Sequence, residues 1–191
     1  MAVVSYTPPP PPYGQWRPIP PALAPNGQPL ASFGDRLLAY LLDTLIITAI
    51  SMVIFIPLMV VFFMVVIGEG ITAQEAGTDP DPFVFLGSYL VLFIVTFAFS
   101  LLLSYLYLVE YQLRHAGQTV GKKVMKLWVI PVAPTEALSR NHMVKRWLVQ
   151  SVAAGLVGIL GLLDGLWQLW DKPLQQCLHD KAAQTVVVKL G

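Results

Sequence analysis

Thr44 to Gly68 reads TLIITAISMVIFIPLMVVFFMVVIG and contains no Asp, Glu, Lys or Arg. Phe83 to Val109, FVFLGSYLVLFIVTFAFSLLLSYLYLV, is equally free of them. Either stretch exceeds the roughly 20 helical residues that cross a hydrocarbon core. Around these runs the whole chain is 55% hydrophobic and 12% charged, against about a quarter charged for a soluble domain. The expected fold class is therefore an all-α membrane protein, with the lipid bilayer as its first partner.

The charges that remain fix an orientation. The connection 69–82 holds Glu69, Glu75, Asp79 and Asp81 and no basic residue. The connection 110–146 holds Arg114, Lys122, Lys123, Lys126, Arg140, Lys145 and Arg146 against Glu110 and Glu136. Basic loops stay on the cytoplasmic side, so 110–146 and the N-terminus are expected inside, and the lysines near anionic headgroups. Residues 1–31 are proline-rich and are expected to be a disordered cytoplasmic tail, either a docking peptide or a solvated tether. The first 30 residues carry no basic region followed by an apolar one, so no cleavable signal peptide is expected.

The first helix is expected to start at a capping box, Ser32 to Asp35, to pass Pro57 with a kink, and to end near Ile67. A third apolar segment, Trp147 to Trp170, is interrupted by Gln150, Asp164 and Gln168. Two readings fit it. Trp147 and Trp167 would lie about 30 Å apart on a straight helix, which suits a full crossing. A broken or re-entrant hairpin turning at Leu163-Asp164-Gly165 would instead return the chain to the cytoplasm. Two β-rich runs, 124–132 and 185–188, favour the hairpin, because a lone strand leaves its edges unpaired. Gly158, Gly161 and Gly165 would allow close helix packing.

Candidate site residues are the ionisable groups near the spans. Arg36, Tyr40 and Asp43 share one helix face at i, i+4 and i+7. A carboxylate in hydrocarbon is paired or beside water, so Asp43 is a switch or ion-coupling site, an interfacial residue, or half of an Arg36–Asp43 clamp. Glu110 faces Arg114 at i+4, and Glu110 or Tyr107 would complete the Arg36–Asp43 site. Asp164 is a buried ionisable group or the hairpin turn. Gly117 to Lys123 resembles a phosphate loop, but three residues instead of four separate its glycines and Lys123 follows Lys122. No nucleotide site, metal set or cofactor site follows, and no nucleophile-and-base arrangement suggests an enzyme. A net charge of +1 offers no field for nucleic acid.

Taken together, three separated motifs resemble the RDD family, named for one arginine and two aspartates. Arg36 to Asp43 resembles its first-helix opening. Gly117, Gly121 and Lys122, with Leu127 to Ile130, resemble its basic central loop. Cys177 to Val188, with His179, Asp180 and Thr185, resembles its C-terminal motif, and the second named aspartate falls at Asp180 rather than Asp164. The sequence departs from the pattern at Gln184, where Gly is expected, and at Asp164. The resemblance spans about residues 32–190 as one membrane domain and implies a multi-pass bacterial plasma-membrane protein. Transport has been suggested for the family, with cation/proton exchange associated with some relatives, which is an analogy of fold. The chain is thus expected to be a transporter subunit using a buried Arg/Asp pair, or else a non-enzymatic anchor recruiting partners through its tail. Two or three spans enclose little by themselves, so the first reading requires a homo-oligomer or a larger membrane complex.

Overall fold

The structure is a computed structural model and describes residues 22–190. Helix α1, Phe33–Ala76, begins where the Ser32 hydroxyl accepts from the Asp35 amide, as the capping box requires. It continues through Pro57 and stops only at Gly77, whose φ of 67° places it in the left-handed region. The expected end near Ile67 is thereby corrected. Gly68 and Gly70 weaken the helix there without ending it, so the connection shrinks to residues 77–81 and Glu69 and Glu75 lie on α1. The Glu69 carboxylate accepts from the Asp81 amide at 3.0 Å and ties the two helix ends together.

Helix α2, Pro82–Arg114, starts at an Asp81 cap with Pro82 in the first turn, where its missing N–H is no loss. Its Leu106–Tyr111 portion is π-helical. Both helices are long and apolar enough to span a membrane, and no residue of their most apolar windows is buried. Leu45, Met64 and Phe83 are 67%, 69% and 76% exposed. Apolar faces this bare are stable against lipid rather than water.

Beyond α2 the chain builds a small body at one end of the helix pair. Helix α3 is Val120–Val124 and strand β1 is Leu127–Pro131. Helix α4, Arg140–Trp147, runs on through a π-helical stretch, Leu148–Ala153, to Leu156. Helix α5 is Gly158–Trp167, helix α6 is Leu178–Ala182, and strand β2 is Thr185–Lys189. The strands pair antiparallel with Val129 opposite Val187. The third apolar segment therefore leaves from one strand and returns to its neighbour.

That segment doubles back at Val157, which adopts an extended conformation between α4 and α5. The expected turn at Asp164-Gly165 is corrected, since both residues lie inside α5. Gly155 and Gly158 flank Val157 closely enough for glycine flexibility to release the helix there. Packing by small residues is seen for Gly161, whose added Cβ would meet Ala154 at 3.4 Å, whereas Gly158 and Gly165 face open space.

The expected disordered tail is also corrected at its end. Residues 29–31 lie along the free edge of β2: the Ala31 amide donates to Val187 and the Lys189 amide to Pro29, both at 2.9 Å. Ala31 is fully buried and Leu30 nearly so. An apolar strand edge gains by pairing, and this segment supplies the partner, so β2 is covered on both sides. The polyproline stretch itself lies outside the described residues. Ala31, Ala39, Val109, Leu127, Val129, Met143 and Val187 form the core beneath the sheet.

Candidate functional site

Asp43 is buried, at 5% exposure, and its partners come from two other elements. Tyr107 on α2 donates to Oδ1 at 2.6 Å. Thr119, the N-cap of α3, donates to Oδ2 at 2.5 Å, and the Gly121 amide donates to Oδ1 at 2.7 Å. The Val120 amide in turn donates to the Tyr107 hydroxyl at 3.1 Å. The loop that resembled a phosphate binder does bind an anion, the carboxylate of α1. Glycine is obligatory at 121, because a Cβ there would stand 2.2 Å from the Ala39 carbonyl oxygen. Gly117 has φ of 83° and lies against the β1 backbone, where a Cβ would come within 2.6 Å of the Val129 oxygen.

Arg36 does not pair with Asp43, so the expected clamp is corrected. About two turns of helix separate the two, and each reaches a closer partner. Arg36 bonds Asp180 at 2.8 Å and reaches the Val187 carbonyl at 3.4 Å. Arg146, from the C-terminal turn of α4, bonds the other oxygen of Asp180 and donates to Thr185 at 2.6 Å. Asp180 is fully buried and Arg146 is 4% exposed. Burial alone would raise the Asp180 pKa, but Arg146, His179 and Arg36 outweigh it and hold the carboxyl well below the usual carboxylate range. This arginine–aspartate–arginine group joins α1, α4, α6 and β2.

The other expected site residues separate. Asp164 is buried and accepts both the His179 amide, at 2.8 Å, and the His179 ring nitrogen Nδ1, at 2.6 Å. It thus pins α5 to α6. Glu110 does not meet Arg114; it pairs with Arg140 at 3.0 Å and accepts from Tyr105 at 3.3 Å, because the π-helical stretch turns it toward α4. Tyr40 is 54% exposed on the rim. Arg146 and Thr119 were not singled out from the sequence. Arg146 reads there as one more topogenic charge, and no linear feature separates it from Lys145.

Cys177, His179 and Asp180 bring their donor atoms within 4.8 Å of one another. They do not suit a metal ion. Asp180 is engaged by two guanidinium groups, His179 Nδ1 by Asp164, and burial with the nearby carboxylates pushes the Cys177 thiol up to about 12. A thiolate ligand would have to form against that shift.

Between α1 and the α4–α5 hairpin lies a cavity of about 640 Å³. Phe33, Leu37, Leu162 and Leu166 contribute apolar walls, and Arg36 and Lys122 are among its polar lining. The Lys122 amide caps on Thr119, but its ammonium has no hydrogen-bond or ion-pair partner among the described residues. Burial, with repulsion from Arg146 and Arg36, pushes Lys122 down to about 8 against the attraction of Asp43 and Asp180. A second cavity shares Ile47 and Thr48 with the first and continues along α1 and α2 past Ser51, Thr96 and Ser100.

Two long apolar helices carrying a charge-stapled body at one end define a helical membrane protein. The chain belongs to the RDD family, whose model matches residues 30–184. Comparison with curated proteins and with solved structures gives no significant match.

Proposed function

We propose that this chain is a non-enzymatic subunit of a multi-pass plasma-membrane transport assembly, carrying a small charged solute. In this reading the sheet, the α4–α5 hairpin and the N-terminus lie on the cytoplasmic side, following the basic loop, and the hairpin dips into the bilayer only as far as Val157. The carrying observation is the Lys122 ammonium, unpaired among the described residues, in a cavity that shares Ile47 and Thr48 with a second cavity lined by Ser51, Thr96 and Ser100. Hydroxyls at membrane depth, leading from an ammonium at the cytoplasmic end, make a polar path through an apolar medium. Asp43 is not the coupling group here, because its oxygens are engaged by protein donors. A homo-oligomer would complete the wall that two spans leave open.

Purified protein in vesicles on a solid-supported membrane reports charge movement for any charged solute. A panel of inorganic cations, inorganic anions and organic acids should yield a current with at least one of them. Thr96→Val, which keeps the side-chain shape, should cut it at least fivefold. Traces matching protein-free vesicles for every solute would overturn the proposal. A second reading, an anchor that recruits partners through the proline-rich tail, draws on the pairing of residues 29–31 with β2, which roots the tail beside the basic face. Deleting residues 1–21 leaves the current intact under the transport reading and has no bearing on membrane insertion under either.

A further inference from the structure

We propose that the cavity between α1 and the α4–α5 hairpin binds an amphiphile with an anionic headgroup, drawn from the surrounding bilayer, as the solute of the transport path. This rests on the transport reading for the word solute; the binding site stands on its own geometry.

The polar inventory of the cavity is lopsided. Each buried carboxylate has protein donors: Asp43 from Tyr107, Thr119 and Gly121, Asp180 from Arg36 and Arg146, Asp164 from His179. What is left over is donor. Arg36 Nε is buried without a hydrogen-bond partner, on a side chain 9% exposed, and the Lys122 ammonium has no partner among the described residues. Left unmatched, the buried Arg36 Nε costs roughly 1–3 kcal/mol, and the half-buried Lys122 ammonium adds a positive charge with no counter-charge bonded to it among the described residues, so the missing component is an acceptor that carries negative charge. A cation would meet Arg36, Lys122 and Arg146 with no carboxylate free to hold it.

The walls select an amphiphile over a free anion. Phe33, Leu37, Leu162 and Leu166 offer an inorganic ion nothing, yet suit an acyl chain. The volume falls within the roughly 300–1,000 Å³ of small-ligand sites. Helix α1 packs on α2 and α3, and the cavity opens beside α5, where Leu37 and Leu162 are 43% and 67% exposed. A lipid can enter sideways through that gap. A headgroup following the hydroxyl row while its chain stays in lipid also relieves the chain of enclosing a full pore.

The test uses the full chain in a neutral detergent, with dioctanoyl phosphatidylglycerol, dioctanoyl phosphatidylcholine and inorganic phosphate as probes in calorimetric titrations. The phosphatidylglycerol should bind, and Lys122→Gln should weaken it at least tenfold. Gly165→Phe, at a cavity-lining position inside α5 whose added Cβ enters open space, should abolish binding without lowering the melting temperature. Affinity should also fall as pH rises through about 8, where free Lys122 loses its proton; Asp43 and Arg36 on α1, Arg146 on α4 and Asp180 on α6 are the charges facing it. Equal binding of phosphatidylcholine, equal binding of phosphate, or an undiminished Lys122→Gln variant each overturns the inference. Absent binding together with a current for another solute sinks the inference and leaves the transport reading. Binding without any current does the reverse.

Discussion

Asp180 shows how a single carboxylate can hold a domain together. Two arginines from helices far apart in sequence meet on its two oxygens, with Thr185 and the Cys177 amide completing the set. Removing one member of a buried ionic group leaves uncompensated charge and costs about 3–5 kcal/mol. Asp180→Asn should lose about that much at pH 7, read as a drop in melting temperature in detergent. The sign with pH follows from the lowered pKa. The stabilisation is fully present above the unfolded value of about 4 and is lost as pH falls below it. The gap between wild type and variant should therefore close on acidification, and a gap constant from pH 7 to pH 3 would exclude this role. At Gln184 the φ of 51° explains why glycine is the expected residue there: the left-handed region costs a side chain roughly 1–2 kcal/mol.

Among elements, α3 depends most visibly on what it touches. Five residues long, it has little helical stability alone. It exists because its N-terminal donors close on Asp43 and because Gly121 lets its backbone touch α1. Gly121→Ala would force a Cβ into the Ala39 carbonyl oxygen, lifting α3 off the helix. Limited trypsin digestion should then cut after Lys122 and Lys123 at least tenfold faster than in wild type. An unchanged rate would mean that the contact with α1 does not hold this segment. The sequence marks this loop by its glycines and lysines but not by its target. An Asp on a helix and a Thr-Val-Gly turn read as two separate motifs until folding joins them across sequence separations of 76 and 78.

For the whole molecule, the paired strands place residues 127–131 and 185–189 on one side of the bilayer. Cys177 is buried and its thiol is held protonated, so it is a poor topological reporter. Cysteines introduced at exposed Thr78 and Ala182 serve better, in a background with Cys177→Ser. An impermeant maleimide should label Thr78→Cys in intact cells and Ala182→Cys only after permeabilisation; labelling of both without permeabilisation would refute the proposed orientation. The two spans, the basic face and the family motifs are all legible along the chain, since each depends on residues close together and on the length of uncharged runs against the thickness of lipid. The bend at Val157, the pairing of Arg36 with Asp180 instead of Asp43, and the emergence of unmatched donors in the cavity required the folded chain. A charge chooses its partner by distance in space, and positions 36, 146 and 180 become neighbours only once β2 has closed against β1.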